Sequence, residues 1–199
     1  MRDFDPATAA YLASRPGGVR ANVLVWITAK DRVTGLPATV GFWDGPDHET
    51  FTVDGAPRPY FGAGTILGLE SLVYGSGLEV RLATLSLSQI SDEVEQAIRG
   101  YDARFGAVEV HRVIFDSLTN AMQGPPHGIL NGEIDAIVID TPAEGGEGGV
   151  TVTIASAARA LTRTLPLRRD DESQRRRGDD RIRRYATLSG LINTAWGEK

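Results

Sequence analysis

RANVLVWITAKD (20–31), RVTG (32–35) and LPATVGFWDG (36–45) read in succession as a long strand, a tight turn and a returning strand. Val, Ile and Trp crowd the middle of the first segment. These residue types suit a pleated, half-buried surface, and neither Gly nor Pro interrupts them. The second segment alternates, so one face is expected to pack and the other to meet solvent. A hairpin of this length commits the start of the chain to an antiparallel sheet.

Reading outward, ETFTVDG (49–55) is a third short strand ending in an Asp-Gly turn. Residues 59–90 read as two strands joined by Tyr74-Gly75-Ser76-Gly77. There Leu78, Val80, Leu82, Thr84 and Ser86 alternate with Glu79, Arg81, Ala83, Leu85 and Leu87, and the pattern ends apolar on both faces, as in a strand entering a core. AVEVHRVIFD (107–116), ILNGEIDAIVIDT (129–141) and GVTVTIAS (149–156) are further strands. A polar loop, SLTNAMQGPPHG, separates the first two, and an acidic one, AEGGEGG, the last two.

Helical signals are fewer. Asp5 is placed to cap a short helix with Pro6 at its first position, and Pro16-Gly17-Gly18 stops it. SDEVEQAIRGY (91–101) predicts a helix capped by Ser91, with Val94, Ala97 and Ile98 as its stripe and Gly100 at its end. RIRRYATLSGLINTAWG (181–197) predicts an amphipathic helix through Ile182, Tyr185, Leu188 and Ile192. The expected fold is mainly β (α+β): a barrel or sandwich of seven or eight strands, one crossing helix and a helical C-terminal segment. The expected division is a body over 1–156 and an Arg/Asp-rich appendage over 157–199.

The chain has no cysteine, which excludes disulfides, thiolate catalysis and Cys-held zinc or iron–sulfur groups. The first residues carry two aspartates and no continuous apolar core, unlike a signal peptide, and no run is long enough to span a bilayer. Synthesis in the cytoplasm is the expectation.

Catalytic signatures are missing. Phe61-Gly62-Ala63-Gly64 lacks the spacing of a dinucleotide loop and reads as a turn or bulge. There is no G-x-S-x-G elbow and no Walker loop. The three histidines, His48, His111 and His127, form no ligand cluster along the chain and could share a metal only through folding. No catalytic residue, metal or cofactor is predicted.

The charge pattern is the most informative feature outside the strands. In RRDDESQRRRGDDRIRRY (168–185) short Arg and Asp blocks alternate. Residues 159–184 hold ten arginines and five acids, a net +5; with −5 for the whole chain, the remainder carries −10. A nucleic-acid arm would be basic without the acids, which repel phosphate, and Tyr185 alone offers stacking. The acidic pairs Asp170-Asp171 and Asp179-Asp180 sit among arginines, so ion pairing is favoured over acid–base chemistry. Two readings stand: a solvated charged face, or a charge-patterned contact between subunits. The contact reading assigns Arg175, Arg176, Arg177, Asp179, Asp180, Arg181 and Trp196 to the interface.

Several pieces, in order, resemble the tail-tip (baseplate) hub and distal-tail proteins of long-tailed bacteriophages and gene transfer agents. They are Pro59-Tyr60-Phe61-Gly62-Ala63-Gly64, Leu85-Ser86-Leu87-Ser88-Gln89-Ile90, Phe115-Asp116 with Asn131-Gly132-Glu133-Ile134-Asp135, and Gln174 with Gly178-Asp179-Asp180 and Ala195-Trp196-Gly197. The resemblance implies a β-barrel of tail-tube type in a virion ring that joins the tail tube to the host-recognition tip and continues the DNA channel. It implies a homo-oligomer, with a trimer favoured over a hexamer, and contacts with tail tube, distal tail ring and tip or fibre protein. Some longer hubs of this kind hold a cysteine-bound iron–sulfur cluster; without cysteine, none is carried over. The competing classes are a tail-associated cell-wall-degrading enzyme and a nucleic-acid-binding β-barrel.

Overall fold

The computed structural model describes residues 4–15, 17–70, 79–88, 92–141, 143, 148–162, 170–176 and 178–185. Two compact units divide the chain, Met1–Leu161 and Thr162–Lys199. Ala157–Thr162 forms a short 3-10 turn that continues directly from the last strand.

In the first unit, helix α1 (Pro6–Ala13) begins as expected: the Asp5 carboxylate accepts a hydrogen bond from the Ala7 N–H at 2.9 Å. Strands β1 (Val19–Asp31) and β2 (Pro37–Trp43) form the predicted hairpin, in register from Leu24↔Trp43 to Lys30↔Pro37. Its turn is held by Asp31, whose Oδ1 accepts from the backbone N–H groups of Val33 and Thr34 at 2.9 and 2.7 Å.

Strands β3 (Glu49–Val53) and β4 (Ala56–Tyr60) make a separate two-stranded ribbon. Its turn is Asp54-Gly55, with φ of 51° and 79°, the left-handed pair that matches the twist of a two-residue hairpin. β4 starts three residues before the strand expected from Pro59 and ends at Tyr60, where that strand was expected to continue. Pro57 and Pro59 face Thr52 and Thr50, at the alternate positions whose N–H would point out of the ribbon, so no ladder bond is lost.

The remaining strands are β5 (Ile66–Leu69), β6 (Leu82–Ser88), β7 (Tyr101–Asp116), β8 (His127–Asp140) and β9 (Gly149–Ser156). With β1 and β2 they form one antiparallel sheet in the order β2-β1-β7-β8-β9-β6-β5. β5 and β6 pair antiparallel as expected; the predicted turn at 74–77 lies outside the described residues.

The sheet curls, and β8 shows how. Its first half pairs with β7 through Ala107↔Glu133, whereas Gly132 to Asp140 pairs with β9. A register shift between Ile134 and Ala136 bulges the strand at Asp135, and bulges bend and twist a strand. The segment after β4 then ties the ends of the curl. The Phe61 N–H donates to the Gly41 carbonyl and the Trp43 N–H to the Phe61 carbonyl, at 2.9 and 3.0 Å, while Ile66–Leu69 pairs with β6. The Phe61-Gly62-Ala63-Gly64 stretch is therefore a turn, with Ala63 and Gly64 at φ of 57° and 81°.

The inside of the curl is the main core. Val25, Phe42, Leu85, Val110, Ile134, Val152 and Ile154 meet there, drawn from six strands, and all are buried. Outside, the β3–β4 ribbon packs over β1 and β7, burying Leu24, Trp43, Phe51, Val53, Tyr60, Val113 and Phe115 in a second layer. The body is a curled antiparallel half-barrel with a ribbon on its outer face, mainly β as expected.

Two elements differ from those expected. The helix over 91–101 is one α turn, α2 (Asp92–Glu95), followed by a π turn over Gln96–Gly100. β7 begins at Tyr101, six residues before the predicted start. Phe105 at φ of 62° and a bulge opposite Thr28 and Lys30 break the alternation that would have marked those residues as strand.

In the second unit, α3 (Asp171–Arg175) is capped by Asp170, which accepts from the Ser173 N–H at 2.7 Å. The helix predicted over 181–197 is a turn at 182–185, and the rest of it lies outside the described residues. No helix among the described residues is long and apolar enough to cross a membrane.

Candidate functional site

The charged block forms an internal ion-pair network. Arg175 reaches Glu172 at 3.3 Å and Asp179 at 3.6 Å, and Arg181 reaches Asp171 at 2.6 Å. The Asp171 hydrogen bond holds the Arg181 guanidinium above its ordinary pKa. Asp180 caps the Ile182 N–H at 3.1 Å, and Arg176 has no ion pair among the described residues. Arg177 and Trp196 lie outside them. Alternating residues along the chain thus become neighbours across one helical turn and the bend after it, where Gly178 and Asp179 take positive φ (97° and 61°).

A second cluster lies on the outer face of the body, and no local sign of it is visible along the chain. β7 presents Glu109 and His111 on the same side as the second core layer, because side chains two apart in a strand share a face. The β3–β4 ribbon brings Asp54 at its turn, and Arg58 and Tyr60 on β4. One ligand atom each from Asp54, Glu109 and His111 lie within 4.8 Å of one another. Arg58 Nη1 pairs with Glu109 Oε2 at 2.5 Å, and its guanidinium lies over the Trp26 ring at 5.3 Å.

The polar groups here are unevenly satisfied. His111 is 6% exposed, and its Nδ1 is buried without a hydrogen-bond partner among the described residues. Burial pushes its pKa below the ordinary histidine value, against the pull of Glu109, so the neutral imidazole is favoured. The Tyr60 hydroxyl is also buried, and burial pushes its pKa up to about 12, against the nearby Arg58 cation. Burial disfavours the Arg58 cation too, but the hydrogen bond and charge of Glu109 outweigh it and raise its pKa.

The other two histidines are engaged elsewhere. His48 Nδ1 accepts from the Gly62 N–H at 3.2 Å, and the His127 ring packs on Phe4. His127 also lines a cavity of about 240 Å³ beneath α1, with Phe4, Leu12, Ile114 and Ile129. Folding therefore groups one histidine with two carboxylates, not the three histidines with one another. No protein-family model and no curated protein matches the chain.

Proposed function

We propose that this chain is a structural protein of a siphophage-like virion. It forms a ring at the distal tail or baseplate that joins the tail tube to the host-recognition tip and continues the DNA channel. It acts by assembly and not by catalysis, its curled sheet being of the tail-tube type. It is made in the host bacterial cytoplasm and resides at the tail tip.

The observation that carries this reading is the separation of charge. The Arg/Asp block falls within a compact unit of its own, and residues 159–184 carry +5 against −10 elsewhere. A basic block on one subunit and an acidic body on the next suit a head-to-tail ring, in which two different patches meet. The ion pairs of Arg175 are solvent-exposed, and exposed pairs contribute only ~0–1 kcal/mol. Exchanging them for a neighbour's carboxylates therefore costs little. Arg175, Arg176, Arg177, Asp179, Asp180, Arg181 and Trp196 form the seam, in a trimer by preference and a hexamer as the alternative. DNA is only passing cargo, repelled by the acidic body.

Replacing Arg175, Arg176 and Arg177 together with alanine tests this. The expected product is a folded monomer, with the parent's circular dichroism and melting temperature, that no longer forms rings by native mass spectrometry. Rings of parental stoichiometry from the triple variant, or a parent that stays monomeric, would overturn the proposal.

A further inference from the structure

We propose that Asp54, Glu109 and His111 form a zinc-class divalent metal site that clamps the β3–β4 ribbon to the sheet. The three donors come from two places in the fold: Asp54 from the ribbon's turn, Glu109 and His111 from β7. Their ligand atoms already lie within 4.8 Å of one another, so a contraction of about an ångström brings them to a common ion with metal–ligand bonds of ~2.0–2.2 Å. Three protein ligands leave a fourth, open position for water.

Three features single this cluster out from an ordinary group of surface acids. His111 is 94% buried, the complement of its 6% exposure, and an unpartnered buried nitrogen is costly unless something occupies it. His111 shares one face of β7 with Glu109, two residues before it, so both donors meet the ribbon's turn from the same side. Arg58 holds Glu109 through one oxygen only, and an ionised carboxylate has lone pairs on both, so Glu109 retains capacity for a metal. Arg58 then orients a ligating carboxylate, as outer partners of metal sites do.

The donor chemistry also selects the ion. Imidazole with two carboxylates suits zinc and its first-row neighbours, whereas calcium and magnesium take oxygen ligands. Asp54 and Glu109 carry two negative charges and Arg58 returns one, so a divalent cation meets a site of net −1. The clamp joins residues 55 and 57 positions apart in the chain and adds stability only when the ribbon is docked.

The experiment uses the full chain, stripped with chelator and titrated with zinc. One zinc per chain is expected by elemental analysis after dialysis, with a rise in melting temperature that grows with free zinc. Zinc-edge absorption should show one imidazole nitrogen among oxygen ligands, and calcium should not compete. Asp54 is an exposed turn residue at positive φ, a conformation Asn also tolerates, so Asp54→Asn should fold as the parent does. It should weaken zinc binding by more than about tenfold, while His48→Ala and His127→Ala bind as the parent does. Absence of stoichiometric zinc uptake, or an Asp54→Asn variant that binds zinc like the parent, would overturn the site.

Discussion

Phe42→Ala is expected to cost about 3–5 kcal/mol of folding stability. Phe42 is fully buried inside the curl, among side chains from other strands of the sheet. Its backbone also lies beside Phe61 in the bridge that ties the sheet's ends. Truncation removes a fully buried phenyl ring from the point where the curl is joined. The walls of the resulting cavity are hydrogen-bonded strands, which collapse poorly into empty space. Urea unfolding should show a lower midpoint with an unchanged slope, the signature of lost stability without a change in exposed surface. A loss below about 1 kcal/mol would mean that the interior relaxes freely and that the described packing is wrong.

Gly41→Val is expected to lift the β3–β4 ribbon off the sheet. A Cβ at position 41 would lie 2.5 Å from the Pro59 carbonyl oxygen and 2.8 Å from the Trp26 and Tyr60 rings. The carbonyl is backbone of β4 and cannot turn aside, so the ribbon must move as a unit. Overpacking of this kind costs ~1–3 kcal/mol and at times more. Here displacement also exposes the layer that holds Trp43, Phe51 and Tyr60. Trp26 and Trp43 are in or against that layer, so tryptophan emission should shift to the red while far-ultraviolet circular dichroism changes little. Because the ribbon carries Asp54, zinc uptake should fall with it. Gly68→Ala is the control: its added Cβ meets nothing within 4 Å, and parental emission is expected. Parental emission from Gly41→Val as well would mean that the ribbon does not pack as described.

Much of the fold was legible because its signals are local. The β1–β2 hairpin follows from an uninterrupted apolar, β-branched run, a short turn and an alternating return. The α1 start follows from Asp5 and Pro6, and the β3 turn from Asp54-Gly55. Where reading failed, a local rule met a tertiary exception. The one strand expected from Pro59 is two, β4 and β5, because its halves pair with different partners, β3 and β6, on either side of the turn at Ala63-Gly64. Phe105 and the bulge beside it hid the start of β7 because a bulge breaks the period that identifies a strand. Ile182 and Tyr185 fit a helical spacing, and the described start of that segment is a turn, with the rest outside the described residues.

The charged segment was legible in composition and only partly in arrangement. Its ion pairing followed from Arg and Asp in alternating blocks, but the partners did not. Arg181 reaches back ten residues to Asp171, across a bend that Gly178 and Asp179 permit.

The sequence by itself determined that the body is mainly β, where most strands run, that no cysteine chemistry is available, and that charge is divided between a basic block and an acidic remainder. Periodicity, turn residues and composition are properties of neighbouring residues, so they survive in a one-dimensional reading. Only the tertiary structure decided the order of the seven strands, the closure of the curl through Phe61, and the meeting of Asp54 with Glu109 and His111. Those features depend on which strands bury their apolar faces against one another. Burial is a free energy of the whole chain, and it brings together residues that leave no mark of their pairing in the sequence.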